Sequence, residues 1–227
     1  MKALIFDSGS LITLSMNCLL SLLKDLKKDF NGKFLITRDV EYEMIEHPIN
    51  IEKYKLGALR LKNLIAENIL EFPESLGVKS EEVNRSTTKY LEISNSVFFK
   101  DSQPIHLIDK GEASCLALSS LLSEKGVENV IVIDERTTRM LFEKPENLKK
   151  LMEQKLHTKI LSREIKNINK IFSFIRSSEL IYVAFKKGFV KNKSKEMLDA
   201  MLYAARYKGC SISDEEIKEI EKMSLVR

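Results

Sequence analysis

The chain has 227 residues, 44% hydrophobic and 31% charged, with Lys+Arg 37 against Asp+Glu 33 and a formal net charge of +4. That is enough apolar material for a real core, which excludes a disordered chain. The charge balance is compatible with a polyanionic partner without demanding one. No apolar run approaches the roughly 18 residues needed to cross a bilayer, and no leader with a cleavage site precedes Asp7, so a cytoplasmic protein is expected. Cys18, Cys115 and Cys210 are too few and too scattered for a zinc site or a disulfide framework and read as small buried hydrophobes.

In chain order, residues 2–6 (KALIF) read as a buried, parallel-type strand. Residues 11–26 carry Leu and Ile at helical spacing and predict one helix. Residues 34–37 predict a second short strand, after which Thr37 caps a helix over 39–46 that His47-Pro48 closes. Residues 51–70 form an amphipathic helix with Tyr54, Leu59, Leu61 and Ile65 among its apolar positions. EFPESLGVKS is a linker, with a short strand at 69–72. Ser80 predicts the N-cap of the next helix, and FFKDSQPIHLI a loop. A helix follows from DKGEAS, with Asp109 as N-cap and Gly126 as its stop.

Residues 130–133 (VIVI) predict another buried strand, ending in Asp134 and Glu135, with helical spacing resuming at Arg136. Beyond about residue 160 the pattern predicts helices over 162–176, 178–187 and 193–208, then a short one capped by Ser213. Strands alternating with helices predict an α/β fold with a parallel sheet.

Parallel α/β sheets bind ligands at the carboxyl ends of their strands. Asp7 and Asp134 both stand at such ends, while Glu43 and Glu112 lie near the starts of helices. Carboxylates crowded together raise one another's pKa unless a cation joins them. A hard divalent ion, Mg²⁺ or Mn²⁺, takes such oxygen ligands, and the pair of ion and carboxylates is an apparatus for phosphodiester hydrolysis. Each acid alone also reads as a helix cap or a solvated turn. Arg136 and Arg139 follow the last acids and read either as phosphate contacts or as ion-pair partners of the acids. Asp199, on the apolar face of its helix, reads as a hydrogen bond to a neighbouring helix or as a further member of the acidic pocket.

The stretches ALIFDSGSLI, ITRDVEYEMI, LIDKGEASCLALS and VIVIDERTTRML resemble, in this order, the four acidic motifs of the PIN-domain nuclease family, which includes the toxin ribonucleases of toxin–antitoxin pairs. The likeness spans roughly residues 1–145, and the glutamate of GEAS is similar to an archaeal branch. It implies a PIN-like three-layer α/β/α domain over residues 1–160 with a short parallel sheet, followed by a C-terminal helical extension over 161–227. It implies a Mg²⁺- or Mn²⁺-dependent endoribonuclease whose catalytic and metal-site acids match Asp7, Glu43, Glu112 and Asp134. Glu135 matches a further metal ligand, Ser8 the small polar residue after the first aspartate, and Ser8 with Arg136 the substrate side. RNA, an antitoxin protein and a second copy in a homodimer are the partners it brings. Two other readings were weighed: a non-catalytic PIN-like RNA- or protein-binding module, and an actin-like ATPase suggested by FDSGS. The ATPase reading lacks a second glycine-containing phosphate loop.

Overall fold

A computed structural model describes residues 1–163 and 172–225. Four strands form a parallel sheet in the order β2 (Gly32–Leu35), β1 (Lys2–Phe6), β5 (Glu128–Val132), β7 (Phe174–Ile175). The central strands are the most apolar runs of the chain, as a sheet covered on both faces requires; Ile5, Phe6, Ile131 and Val132 are all fully buried. Register pairs Ile5 with Leu35 on one side and with Ile131 on the other. A single bridge from Glu71 to Leu35 continues the sheet by one residue within the short strand expected at 69–72. With eleven α-helices among the described residues, the architecture is α/β and compatible with a three-layer α/β/α stack.

The remaining strands form a small antiparallel sheet, β4 (Gln103–Pro104), β3 (Phe98–Lys100), β6 (Leu161–Ser162). This is the stretch FFKDSQPIHLI, expected as a loop. Asp101 and Ser102, at φ 48° and 66°, instead make a tight two-residue turn between β3 and β4.

Several helices differ from expectation for identifiable reasons. The helix expected over 11–26 is two, α1 (Ser8–Met16) and α2 (Leu20–Asp29). Cys18 between them has φ 57°, a left-handed conformation costing about 1–2 kcal/mol for a residue with a Cβ. The break is held by Asn17, whose side-chain amide donates to Thr13 O (2.9 Å) and to Ala204 O (3.1 Å). Thr37 caps α3 (Arg38–Glu41) as anticipated, accepting from Val40 N. Pro48 does not push His47 out of helical space: His47 stays at φ −71°, ψ −52°. The helix instead widens into a π turn over Tyr42–Glu46, with His47 N donating to Tyr42 O at 3.0 Å. This carries the chain past a proline ring that would press on the carbonyl four residues back.

In α4 (Glu52–Ala66) the buried face is Ala58, Leu61 and Leu64, whereas Tyr54, Leu56 and Leu59 are exposed. The next helix, α5 (Ser80–Ser94), starts one residue earlier than a Ser80 cap predicts: Lys79 is its N-cap, and the Ser80 hydroxyl donates to Glu74. It lies along α6 (Lys110–Glu124), which is buried on nearly every side. Then come α7 (Arg136–Glu143) and α8 (Pro145–Leu156).

The helix expected over 162–176 does not form at its ends, which are the strands β6 and β7; its middle, 164–171, lies outside the described residues. β7 pairs with β5, so residues beyond 172 supply the sheet's fourth strand as well as helices. Those helices are α9 (Ser177–Lys187), α10 (Lys195–Tyr207) and α11 (Asp214–Leu225). Ser213 caps α11 as the sequence suggested, accepting from Glu216 N while Glu216 accepts from Ser213 N. Asp199 faces Glu221 of α11, whose carboxylate raises its pKa, so it meets the neighbouring helix. Among the described residues no helix is long and apolar enough to cross a membrane. Cys115 and Cys210 are buried as expected, while Cys18 is exposed.

Candidate carboxylate site

The site begins where the two central strands end. Asp7 N donates to Val132 O (3.0 Å), and Ser10 Oγ bridges Asp7 O and Val132 O, so the carboxyl ends of β1 and β5 are tied together. Asp7 and Asp134 therefore leave adjacent strands at the same edge of the sheet, as the sequence reading required.

Asp7 is the N-cap of α1. Its Oδ2 accepts from Gly9 N at 3.0 Å, while its Oδ1 is buried without a hydrogen-bond partner among the described residues. A buried carboxylate oxygen left unpaired costs about 1–3 kcal/mol or more. Burial first, then the nearby charge of Glu112 and that of Glu43, push the Asp7 carboxyl well above the usual range, against the pull of the Gly9 N–H.

Glu43 projects from the π turn. Its Oε2 accepts from Ser8 Oγ at 2.7 Å and its Oε1 from Gly111 N at 3.0 Å, so it ties the start of α1 to the first turn of α6. Gly111 permits this approach, since a Cβ there would stand 2.4 Å from Glu43 Oε2. π turns are frequent at functional sites, and this one places the glutamate.

Glu112 accepts from Asp109 N (2.9 Å) through Oε2 and from Thr138 Oγ1 (2.7 Å) through Oε1. Burial is the main reason its pKa rises to about 7; the hydrogen bonds oppose the rise, and Glu135 and Asp109 add to it. The Cys115 thiol lies under the same acids. Burial, then the charges of Asp7, Glu43 and Glu112, push it well up, so it is a neutral thiol facing Phe6 O rather than a ligand.

Asp134 is equally buried, but both of its oxygens are partnered: Oδ1 accepts from Ser177 N at 2.7 Å and Oδ2 from Ser177 Oγ at 2.8 Å. It thus holds the start of α9. Glu135 is exposed and caps α7 by accepting from the backbone N–H and hydroxyl of Thr137. Arg136 is exposed, and Arg139 donates to backbone carbonyls, Glu135 O (3.4 Å) and Ser211 O (3.3 Å), not to the acids.

The structure thus brings Asp7, Glu43 and Glu112 into one electrostatically coupled pocket, with Ser8 at its wall, and turns Asp134 and Glu135 toward helix starts. As the side chains stand, no three His, Cys, Asp or Glu among the described residues form a ready metal cage. Glu43, Glu112 and Asp134 each use both oxygens on protein donors, though every such oxygen keeps a second lone pair. The donors fit a hard divalent cation in kind: they are carboxylate oxygens, one of them buried and unpaired, in a pocket short of positive charge.

Three contributors went unread in the sequence. Gly111 reads locally as part of a helix start, although a glycine inside a first turn is itself a sign of close approach. Thr138 carries no local signal beyond its place between Arg136 and Arg139. Ser177 lies between the helices expected over 162–176 and 178–187, where the sequence marks no site residue.

Fold and site together define an α/β protein with a carboxylate pocket at the C-terminal edge of a parallel sheet. Comparison with protein-family models, with curated proteins and with solved structures finds no match to the chain.

Proposed function

We propose that the chain is a PIN-like, metal-dependent ribonuclease. The observation that carries the reading is the buried, unpartnered Oδ1 of Asp7 in a pocket shared with Glu43 and Glu112. Such an oxygen is costly unless a cation completes it. Asp7, Glu43 and Glu112 would hold Mg²⁺ or Mn²⁺, with Asp134 at the adjacent strand end. A bound ion supplies an activated water and offsets charge that develops on a phosphodiester.

The chain's own residues do the positioning. Ser8 and Gly111 fix the Glu43 carboxylate, Thr138 and the Asp109 N–H fix that of Glu112, and Ser177 fixes that of Asp134. Without a cation, Glu112 titrates near neutrality and Asp7 resists ionisation, so the pocket gains its full negative charge only when one binds.

The test is cleavage of RNA with and without Mn²⁺. Cleavage should need the ion and be lost in Asp7→Asn. Robust cleavage by that variant, with contaminating nuclease excluded, overturns the assignment. One observation favours a second reading, a non-catalytic RNA- or protein-binding module: the Asp134 carboxylate is committed to Ser177. In that case RNA affinity is indifferent to Mn²⁺ and no cleavage appears.

A further inference from the structure

Beside the carboxylate pocket, on the opposite side of α7, lies a cleft of about 700 Å³ between that helix and the connection from α10 to α11. Thr138 of α7 points to Glu112, whereas Arg139, the next residue, lines the cleft. The two sites share a wall. Ser211, on the cleft's lining, donates its N–H to Asp134 O at 3.0 Å and offers its own carbonyl to Arg139 and Arg176.

Five basic side chains line the cleft, Arg136, Arg139, Lys144, Arg176 and Arg206, against two acidic ones. Their roles divide. Arg176 is buried and neutralised by Glu179 (2.5 Å) and Glu216 (2.8 Å), and Arg206 is paired with Asp214. These two are structural. Arg136, Arg139 and Lys144 form no ion pair among the described residues. Arg139 is oriented by two backbone carbonyls that fix its plane, with the carboxylates of Glu143, Glu179 and Glu216 near enough to act on its charge. Burial first, then the charge of Arg176, lowers its pKa from the usual arginine value, against the opposing pull of Glu143 and Glu179. Guanidinium groups held this way are suited to phosphate oxygens.

The volume lies within the roughly 300–1,000 Å³ that accommodates a drug-sized ligand, several times what one phosphate fills. Immediately after Arg206 in α10 stands Tyr207, 79% exposed, its ring stacked on Tyr203 with centroids 6.2 Å apart. A largely exposed tyrosine one residue along α10 from a cleft-lining arginine is a platform for an unpaired base.

We infer that this cleft binds the phosphate backbone of a single-stranded polynucleotide, with a base stacked on Tyr207. The inference rests on the ribonuclease reading for its purpose, since a strand lying in the cleft runs beside the carboxylate pocket. Its test is separate. Binding of a fluorescein-labelled twelve-nucleotide oligouridylate to the full chain is followed by anisotropy in EDTA, where no cleavage occurs. The double variant Arg136→Ala/Lys144→Ala removes two exposed side chains and should keep the wild-type melting temperature. It should bind about tenfold or more weakly and lower the slope of log K against log salt by roughly 1.4. Tyr207→Ala should weaken binding by about tenfold with the salt slope unchanged. Wild-type affinity in the double variant overturns the proposal, as does displacement of the oligonucleotide by equimolar inorganic phosphate. Binding without Mn²⁺-dependent cleavage would remove the catalytic reading and leave the cleft. Cleavage with unchanged KM in the double variant would remove the cleft and leave the catalysis.

Discussion

The ends of β1 and β5 look alike in the sequence and differ in the folded protein. Each is a buried apolar strand that delivers an aspartate, Asp7 at 4% exposure and Asp134 at 2%. At the end of β5 both carboxylate oxygens meet donors of Ser177, and the acid is a structural cap. At the end of β1 one oxygen meets none, and two glutamates crowd the same space. Burial alone therefore does not mark a reactive carboxylate. Under the proposed function, unmet hydrogen-bonding capacity beside like charges does.

That contrast can be broken by mutation. The largest effect expected is on activity: Asp7→Asn should reduce Mn²⁺-dependent RNA cleavage by about 100-fold or more, in a gel assay. Its thermal stability at pH 8 should be equal or higher, because an amide removes the buried charge and still accepts from Gly9 N–H. Asp134→Ala should do the reverse in stability. It leaves the Ser177 N–H and hydroxyl buried and unpaired, costing about 3 kcal/mol. A melting temperature lower by roughly 6–12 °C would report it. Equal melting temperatures for the two variants would erase the distinction.

The next effect is on pH dependence. Glu112 has a folded-state pKa of about 7 against an ordinary 4.5, and Asp7 shifts in the same direction. Between those pH values the folded state keeps a proton that the unfolded chain releases. The Glu112 contribution to metal-free stability therefore falls as pH rises from about 4.5 to about 7, and Asp7 adds a loss of the same sign. A cation favours the ionised acids, so the rise in melting temperature on adding Mn²⁺ should be larger at pH 8 than at pH 5. An equal shift at both would detach Glu112 from the ion. Smallest is Gly111→Ala, whose Cβ would meet Glu43 Oε2. Moving Glu43 should cost about 1–2 kcal/mol in denaturant melts and slow cleavage by roughly tenfold.

Some of this was legible from residue order. The unbroken apolar runs ending at Phe6 and Ile133 gave the two central strands, and Gly126 and Ser213 marked a helix stop and start. The acids were legible as positions, because a strand end and a first helical turn are local features. Their partners were not. Ser177 reaches Asp134 across 43 residues and Ser8 reaches Glu43 across 35, and no local signal carries such contacts. The break at Cys18 was hidden for the same reason: Asn17 is held by Ala204 of α10, and neither glycine nor proline marks the spot. Asp101 and Ser102 form a turn that glycine or asparagine would have advertised. In α4 the helical period was correct, but the sequence could not say which apolar face turns inward.

The most direct test of the account is anomalous diffraction from crystals soaked in Mn²⁺. The account predicts a peak within about 2.5 Å of Asp7 Oδ1, with Glu43 or Glu112 as a further ligand. An empty pocket at millimolar Mn²⁺, or a manganese peak only at sites remote from Asp7, would contradict it.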